Sequence, residues 1–143
     1  MQDRLKKLVL DINIEKNVEF VGWIKDKKSF FEEIDIFCIP SVFETFGIVA
    51  LEAMSQQVPI VATKTAGASE IFEPDVDALL TKTASSQELA DKIAYLIENP
   101  DNGRELKNNA YDKIVNRYDT HVVANKLLET LENIVLLSAN YKT

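Results

Sequence analysis

Short apolar runs alternate with stretches in which apolar residues recur every three or four positions. Val18-Glu-Phe-Val-Gly22, Asp35-Ile-Phe-Cys-Ile39, Pro59-Ile-Val-Ala-Thr63 and Ala78-Leu-Leu-Thr81 are bounded by Gly, Pro or Asp and predict buried strands. Between them the pattern predicts helices over about Lys25–Glu33, Gly47–Gln57 and Ala68–Phe72. Strands alternating with helices imply a parallel sheet with helices on both faces. The last third is helical. Ser85-Ser-Gln-Glu88 has the spacing of a capping box and opens a helix through Leu89, Ile93 and Leu96, which Asn99-Pro100 stops. A second helix is expected over about Asp101–Tyr118. A third, over about Thr120–Ser138, sets Val123, Leu127, Leu131, Ile134 and Leu137 at helical spacing. The start, Met1-Gln-Asp-Arg-Leu-Lys-Lys, reads as a charged helix rather than a signal peptide.

With 143 residues the chain is expected to form a single α/β domain, 1–143, large enough to bury a core. Its net charge of -7 argues against a nucleic-acid partner and against docking on anionic lipid. No apolar run approaches the length that crosses a bilayer. Cys38, the only cysteine, lies in an apolar run, which predicts a buried, inert thiol. A chain without internal disulfides fits a cytoplasmic setting. His121 has no Cys or second His beside it, and no Asp-x-Asp occurs anywhere. No metal site is expected.

The most informative stretch is Ser41-Val-Phe-Glu44-Thr-Phe-Gly47-Ile-Val-Ala-Leu-Glu52-Ala-Met54. It sets a Gly at the mouth of an apolar helix and brackets the helix start with two glutamates. A helix N-terminus offers unpaired N–H groups and the positive end of the dipole, and so binds phosphate. Glu44 and Glu52 can accept hydrogen bonds from sugar hydroxyls. A segment that handles both chemistries suggests a nucleotide-sugar site. Each residue also has a plainer reading. Glu44 is placed to compensate the N-terminal amides, with Ser41 as a cap. Glu52 is placed to share a solvent stripe with Ser55 and Gln56. The Phe46-Gly47 pair alone is no more than a strand-to-helix turn. The helix Ile48–Met54 is apolar nearly all round, which predicts burial on every side. A carboxylate there needs a partner or a wet cleft.

Pro40-Ser41-x-x-Glu44-x-Phe46-Gly47-Ile48-x-x-x-Glu52-Ala53-Met54, then Pro59-Ile60-Val61-Ala62-Thr63 and Gly67-x-x-Glu70-Ile71, resembles the C-terminal donor-binding domain of retaining GT-B glycosyltransferases. The likeness is to the large group that builds bacterial polysaccharides and lipid-linked sugars, and it runs from about Leu8 to about Leu131. It implies a Rossmann-like fold and transfer of a hexose from a nucleoside diphosphate sugar to a glycan or lipid-linked acceptor. It assigns Glu52 to the ribose hydroxyls and Glu44, the catalytic candidate, to the donor sugar ring. It assigns the backbone amides of Thr45, Phe46, Gly47 and Ile48 to the diphosphate and sugar. Gly22 and Trp23 would border the base, although a Trp at a strand end more often serves core or interface. No cofactor or protein-held metal is implied. Attack from the leaving-group face, assisted by the diphosphate, needs no protein nucleophile.

The chain departs from the pattern at three places. Gln57 stands where a Gly is usual, Pro74-Asp-Val-Asp-Ala78 replaces a Gly-containing turn, and Thr65-Ala66 replaces a small pair before Gly67. The resemblance also implies two further central strands, a basic pair for the diphosphate and an N-terminal acceptor domain, none of which precedes Leu8. The chain is thus expected to be a cut piece or a natural remnant, inactive by itself. A non-catalytic interaction domain of the same ancestry, or an unrelated phosphate-binding domain, is the alternative. Loss of the central strands is expected either to bring the Val18–Gly22 strand across to the strand ending at Ile39, or to drive homodimer formation.

Overall fold

The computed structural model describes residues 2–140, and the side chains of residues 2–137. The chain forms two compact units, one ending at Phe30 and one beginning at Phe31. In the first, helix α1 (Gln2–Asp11) is the charged helix expected from the sequence, and none of its residues is buried. It ends in a Schellman motif. Asn13 takes φ 55°, with Ile14 N–H donating to Val9 O and Asn13 N–H to Leu10 O, both at 3.1 Å. A single 3-10 turn, Glu15–Asn17, follows. The Lys6 ammonium lies 5.8 Å from the centre of the Phe20 ring.

Residues 18–22 form no strand, contrary to the pattern. Strand conformation is held by a ladder, and the sheet of the described residues comprises three later strands only, β1 (Phe37–Ile39), β2 (Ile60–Thr63) and β3 (Leu79–Thr81). The expected transfer of the Val18 strand to the strand ending at Ile39 does not occur either, since β1 pairs with β2 alone. Helix α2 (Lys27–Glu32) is opened by Asp26, whose carboxylate accepts from Ser29 N–H at 3.1 Å and Ser29 Oγ at 2.9 Å. These bonds hold the Asp26 carboxyl below its usual range.

The second unit is a Rossmann-like α/β layer. The sheet is wholly parallel, in the order β1-β2-β3, with Cys38 opposite Val61 and Ala62 opposite Leu80. All four residues of β2 are buried, so both faces of the central strand are covered, as a parallel sheet requires. Helix α3 (Ile48–Ser55) connects β1 to β2, and α4 (Ala66–Ile71) connects β2 to β3. Helix α5 (Ser86–Glu98) returns across the sheet. Its Leu96, with Leu89 and Ile93 beside it, joins Val61, Leu79 and Leu106 in the core, which is the face its sequence spacing predicts.

The expected capping box of α5 is not made. The Ser85 side chain caps nothing, and Glu88 Oε2 accepts from Lys82 N–H at 3.2 Å instead. Ala84 sits at φ 59°. That left-handed residue folds the preceding turn back, so Glu88 meets an amide six positions upstream rather than the one at residue 85.

Asn99 closes α5 and leads into α6 (Pro100–Lys113), with Pro100 at the first helical position. A π-helical segment, Ile114–Tyr118, and the long α7 (Thr120–Asn140) complete the described residues. His121 lies exposed in the first turn of α7, where its N–H bonds Asp119 Oδ1 at 2.8 Å. No helix of the described residues is long and apolar enough to cross a membrane.

Candidate functional site

The turn that carries Glu44 lies between the end of β1 and the start of α3, at the C-terminal edge of the sheet. Open parallel sheets bind ligands at that edge. Gly47, at φ +85°, swings the chain into α3. A β-carbon there would sit 3.3 Å from Glu44 Cγ, and the left-handed backbone itself favours glycine.

Glu44 Oε1 accepts from Thr45 N–H at 3.1 Å and lies 3.4 Å from Phe46 N–H. The glutamate therefore compensates the amides of its own turn, and Ser41 does not cap the helix. Ser41 serves differently, as its carbonyl accepts the Thr63 hydroxyl. Glu52 lies one turn into α3, partly exposed, with Ser55 and Gln56 on the same side of the helix.

Ala50, Ala53 and Met54 are buried, yet Ile48 is two-thirds exposed. The expectation of burial on every side thus fails at the first turn. Val42 and Phe43 are also largely exposed beside Glu44. The turn itself is tightly seated, with only about 10 Å³ of free volume beneath it. A roomier cavity, about 560 Å³, lies elsewhere, among Asp75, Glu88, Asp91, Tyr95 and Asn102.

Of the predicted residues, the structure brings Glu44, Thr45, Phe46, Gly47, Ile48 and Glu52 together on one turn and the helix it opens. In the first unit, Gly22 takes φ +69° and Trp23 is 87% exposed, so Trp23 is not a core residue. Among the described residues no group of three or more His, Cys, Asp or Glu side chains could hold a metal ion.

Three neighbours of the turn were not assigned to the site by sequence reasoning. Thr65 caps α4 through its hydroxyl, which accepts from Ala68 N–H at 3.2 Å. Its spacing before Ala68 was a readable signal. Thr63 sits at the end of β2 with its hydroxyl on the Ser41 carbonyl, an arrangement only the fold reveals. Tyr118, at the end of the π-helical segment, meets the Phe46 ring edge-on at 6.4 Å. π-helical turns recur at functional sites, but nothing in the local sequence announces this one.

The fold and the seated turn define a Rossmann-like domain of the kind that forms the C-terminal half of GT-B glycosyltransferases. The family described as glycosyl transferases group 1 matches residues 1–113, and the chain belongs to it. The lipopolysaccharide core biosynthesis glycosyltransferase LpsE of Rhizobium meliloti is 24% identical over 91% of this chain and 38% of its own length. The phosphatidyl-myo-inositol mannosyltransferase of Mycobacterium leprae is 30% identical over 83% and 32%. The chain thus spans about a third of the length of these curated relatives.

Among solved structures, the C-terminal domain of the group 1 glycosyl transferase LpcC from Francisella tularensis superposes with a TM-score of 0.75 at 31% identity, covering 83% of this chain and 63% of that one. The Anabaena protein HepE, solved in complex with UDP, gives 0.85 at 32% identity over 92% and 37%. It has also been solved in complex with UDP-glucose.

Proposed function

We propose that this chain is the donor-binding part of a retaining glycosyltransferase that moves a hexose from a nucleoside diphosphate to a glycan or lipid-linked acceptor. One observation carries the reading. The amides of Thr45 and Phe46, at the mouth of α3, converge on a single anionic oxygen, Glu44 Oε1. Backbone donors that hold a carboxylate oxygen can hold a diphosphate oxygen in its place, with the α3 dipole adding to the attraction.

On this reading the diphosphate takes the amides of residues 45–48. Glu44 swings off them to accept from the donor sugar hydroxyls, and Glu52 accepts from the ribose. The family resemblance alone assigns the base to Gly22 and Trp23. Charge on the departing diphosphate is stabilised by oriented amides, which is the main catalytic contribution such a site makes. The diphosphate itself assists attack from its own face, without a protein nucleophile or a protein-held metal. A cytoplasmic setting, where nucleotide sugars are donors, suits the chain. Since it spans a third of its relatives' length, it is expected to bind the donor without turning it over.

Calorimetric titration with UDP and UDP-glucose, the ligands of the Anabaena relative, tests the reading. Hydrogen bonds from two ribose hydroxyls to an ionised carboxylate contribute on the order of 1.5–3 kcal/mol each. Glu52→Ala is therefore expected to weaken UDP binding by at least about tenfold. Equal affinity in both proteins would remove Glu52 from the site.

A further inference from the structure

The turn that carries Glu44 is not self-supporting. Its hydrogen bonds to the rest of the unit run to one short segment, residues 63–67, where β2 passes into α4. At the start of the turn, Thr63 Oγ1 donates to the carbonyl of Ser41 and lies 3.2 Å from that of Ile39. At its end, Gly67 N–H donates to the Glu44 carbonyl at 3.0 Å. A β-carbon on Gly67 would stand 2.7 Å from Phe46 N and 2.8 Å from both Phe46 Cα and Thr45 C. All three are backbone atoms, so no side chain can rotate to relieve the clash. Gly67 has no left-handed φ to explain it. Its requirement is one of approach, in which the Thr45–Phe46 peptide lies flat on the first turn of α4.

We infer that Thr63 and Gly67 are positioning residues for donor recognition, acting as a two-point seat that sets where the Thr45 and Phe46 amides and the Glu44 carboxylate stand. The inference rests on the donor-binding reading. Gly67 and Thr63 touch no ligand in it. They act through the turn, and a displacement of the order of 1 Å at such a site is enough to lose selectivity. A residue that served only folding would change how much protein folds. It would leave the folded fraction's preference between UDP-glucose and UDP untouched.

The test uses the full 143-residue chain, titrated with UDP and with UDP-glucose. Gly67→Ala is expected to reduce the preference for UDP-glucose over UDP by about tenfold, the loss of one charge-assisted hydrogen bond. The reduction should match that of Glu44→Ala, and the double variant should add nothing on this ratio. Gly103→Ala is the control. That helical glycine has ordinary room, with its nearest neighbour at 3.6 Å, and the variant should keep the wild-type ratio.

Thr63→Val, which keeps the shape and removes the tether, carries the test alone if Gly67→Ala does not fold. Its Thr45 and Phe46 amide NMR signals should also shift without ligand. A wild type that prefers UDP-glucose and keeps that preference in both variants overturns the inference and leaves the donor reading standing. A wild type that binds neither ligand overturns both.

Discussion

The carboxylate of Asp77, 1% exposed, meets the ammonium of Lys113 at the last residue of α6. Its other oxygen accepts from Glu73 N–H at 2.8 Å, and Lys113 also donates to the Ile71 carbonyl at 3.2 Å. One ion pair thus closes the 73–77 turn and ties the end of α4 to α6. This is the turn in which acidic residues replace the expected glycines. Removing one partner strands a buried charge, which costs about 3–5 kcal/mol. Lys113→Met is expected to lower stability by that amount in urea unfolding, and adding Asp77→Asn should recover part of it. A loss below about 1 kcal/mol would mean that Asp77 is solvated in solution.

Gln57 occupies the left-handed position of a Schellman motif at the end of α3. It lies at φ 54°, with Val58 N–H on Ala53 O at 3.2 Å and Gln57 N–H on Met54 O at 3.1 Å. A side chain there is strained by about 1 kcal/mol. Gln57→Gly should raise the melting temperature by a few degrees, a stabilisation of about 0.5–1 kcal/mol once the greater freedom of the unfolded chain is set against it. An unchanged or lower melting point would contradict the cap geometry.

Burial pushes the Cys38 thiol pKa up. Near pH 8 the folded chain therefore holds its thiol proton more tightly than the unfolded chain. Fewer protons on the unfolded state make stability fall as pH rises through the ordinary thiol range. Alkylation by iodoacetamide at pH 8 should be slower in the native protein than in urea, and the ratio should narrow at higher pH. Equal rates at pH 8 would show an open thiolate.

Glu44→Ala vacates the two amides and deletes the proposed sugar acceptor together. UDP-glucose binding is expected to weaken by about tenfold relative to UDP binding, because only the intact donor loses its sugar acceptor while the freed amides serve the diphosphate of both ligands. Calorimetry on the two ligands separates these terms. An equal loss for both would assign Glu44 to the diphosphate end of the donor.

Strand β1 has β2 on one side and no strand on the other among the described residues. Such an edge pairs readily with a second copy. Sedimentation velocity should show a dimer that dissociates on dilution, and a single monomer species at all concentrations would exclude edge pairing.

The parallel α/β layer was legible because its signals are local. Buried strands such as Ile60–Thr63 are continuous apolar runs, and Leu89, Ile93 and Leu96 repeat at helical spacing. The turn with Glu44, Gly47 and Glu52 was legible as a motif. What the sequence concealed was non-local. Val18–Gly22 has strand composition, but a strand also needs a neighbour. Ser85 and Glu88 have the right spacing, but the left-handed Ala84 redirects the carboxylate. The Asp77–Lys113 pair joins residues that no local pattern connects. Thr63 gains its role only when β2 lies beside β1.

The seat of the Glu44 turn has a consequence in time as well as in space. Ser41 is held by a residue 22 positions downstream, and Glu44 by Gly67, further along still. During synthesis the glutamates and α3 leave the ribosome well before the segment that positions them. Until Gly67 has emerged and β1 and β2 have paired, the turn has nothing to rest on. On the proposed reading, recognition of the donor is therefore acquired late, with closure of the sheet. A nascent chain halted before α4 would display every residue of the motif and still lack the seat that holds the motif in place.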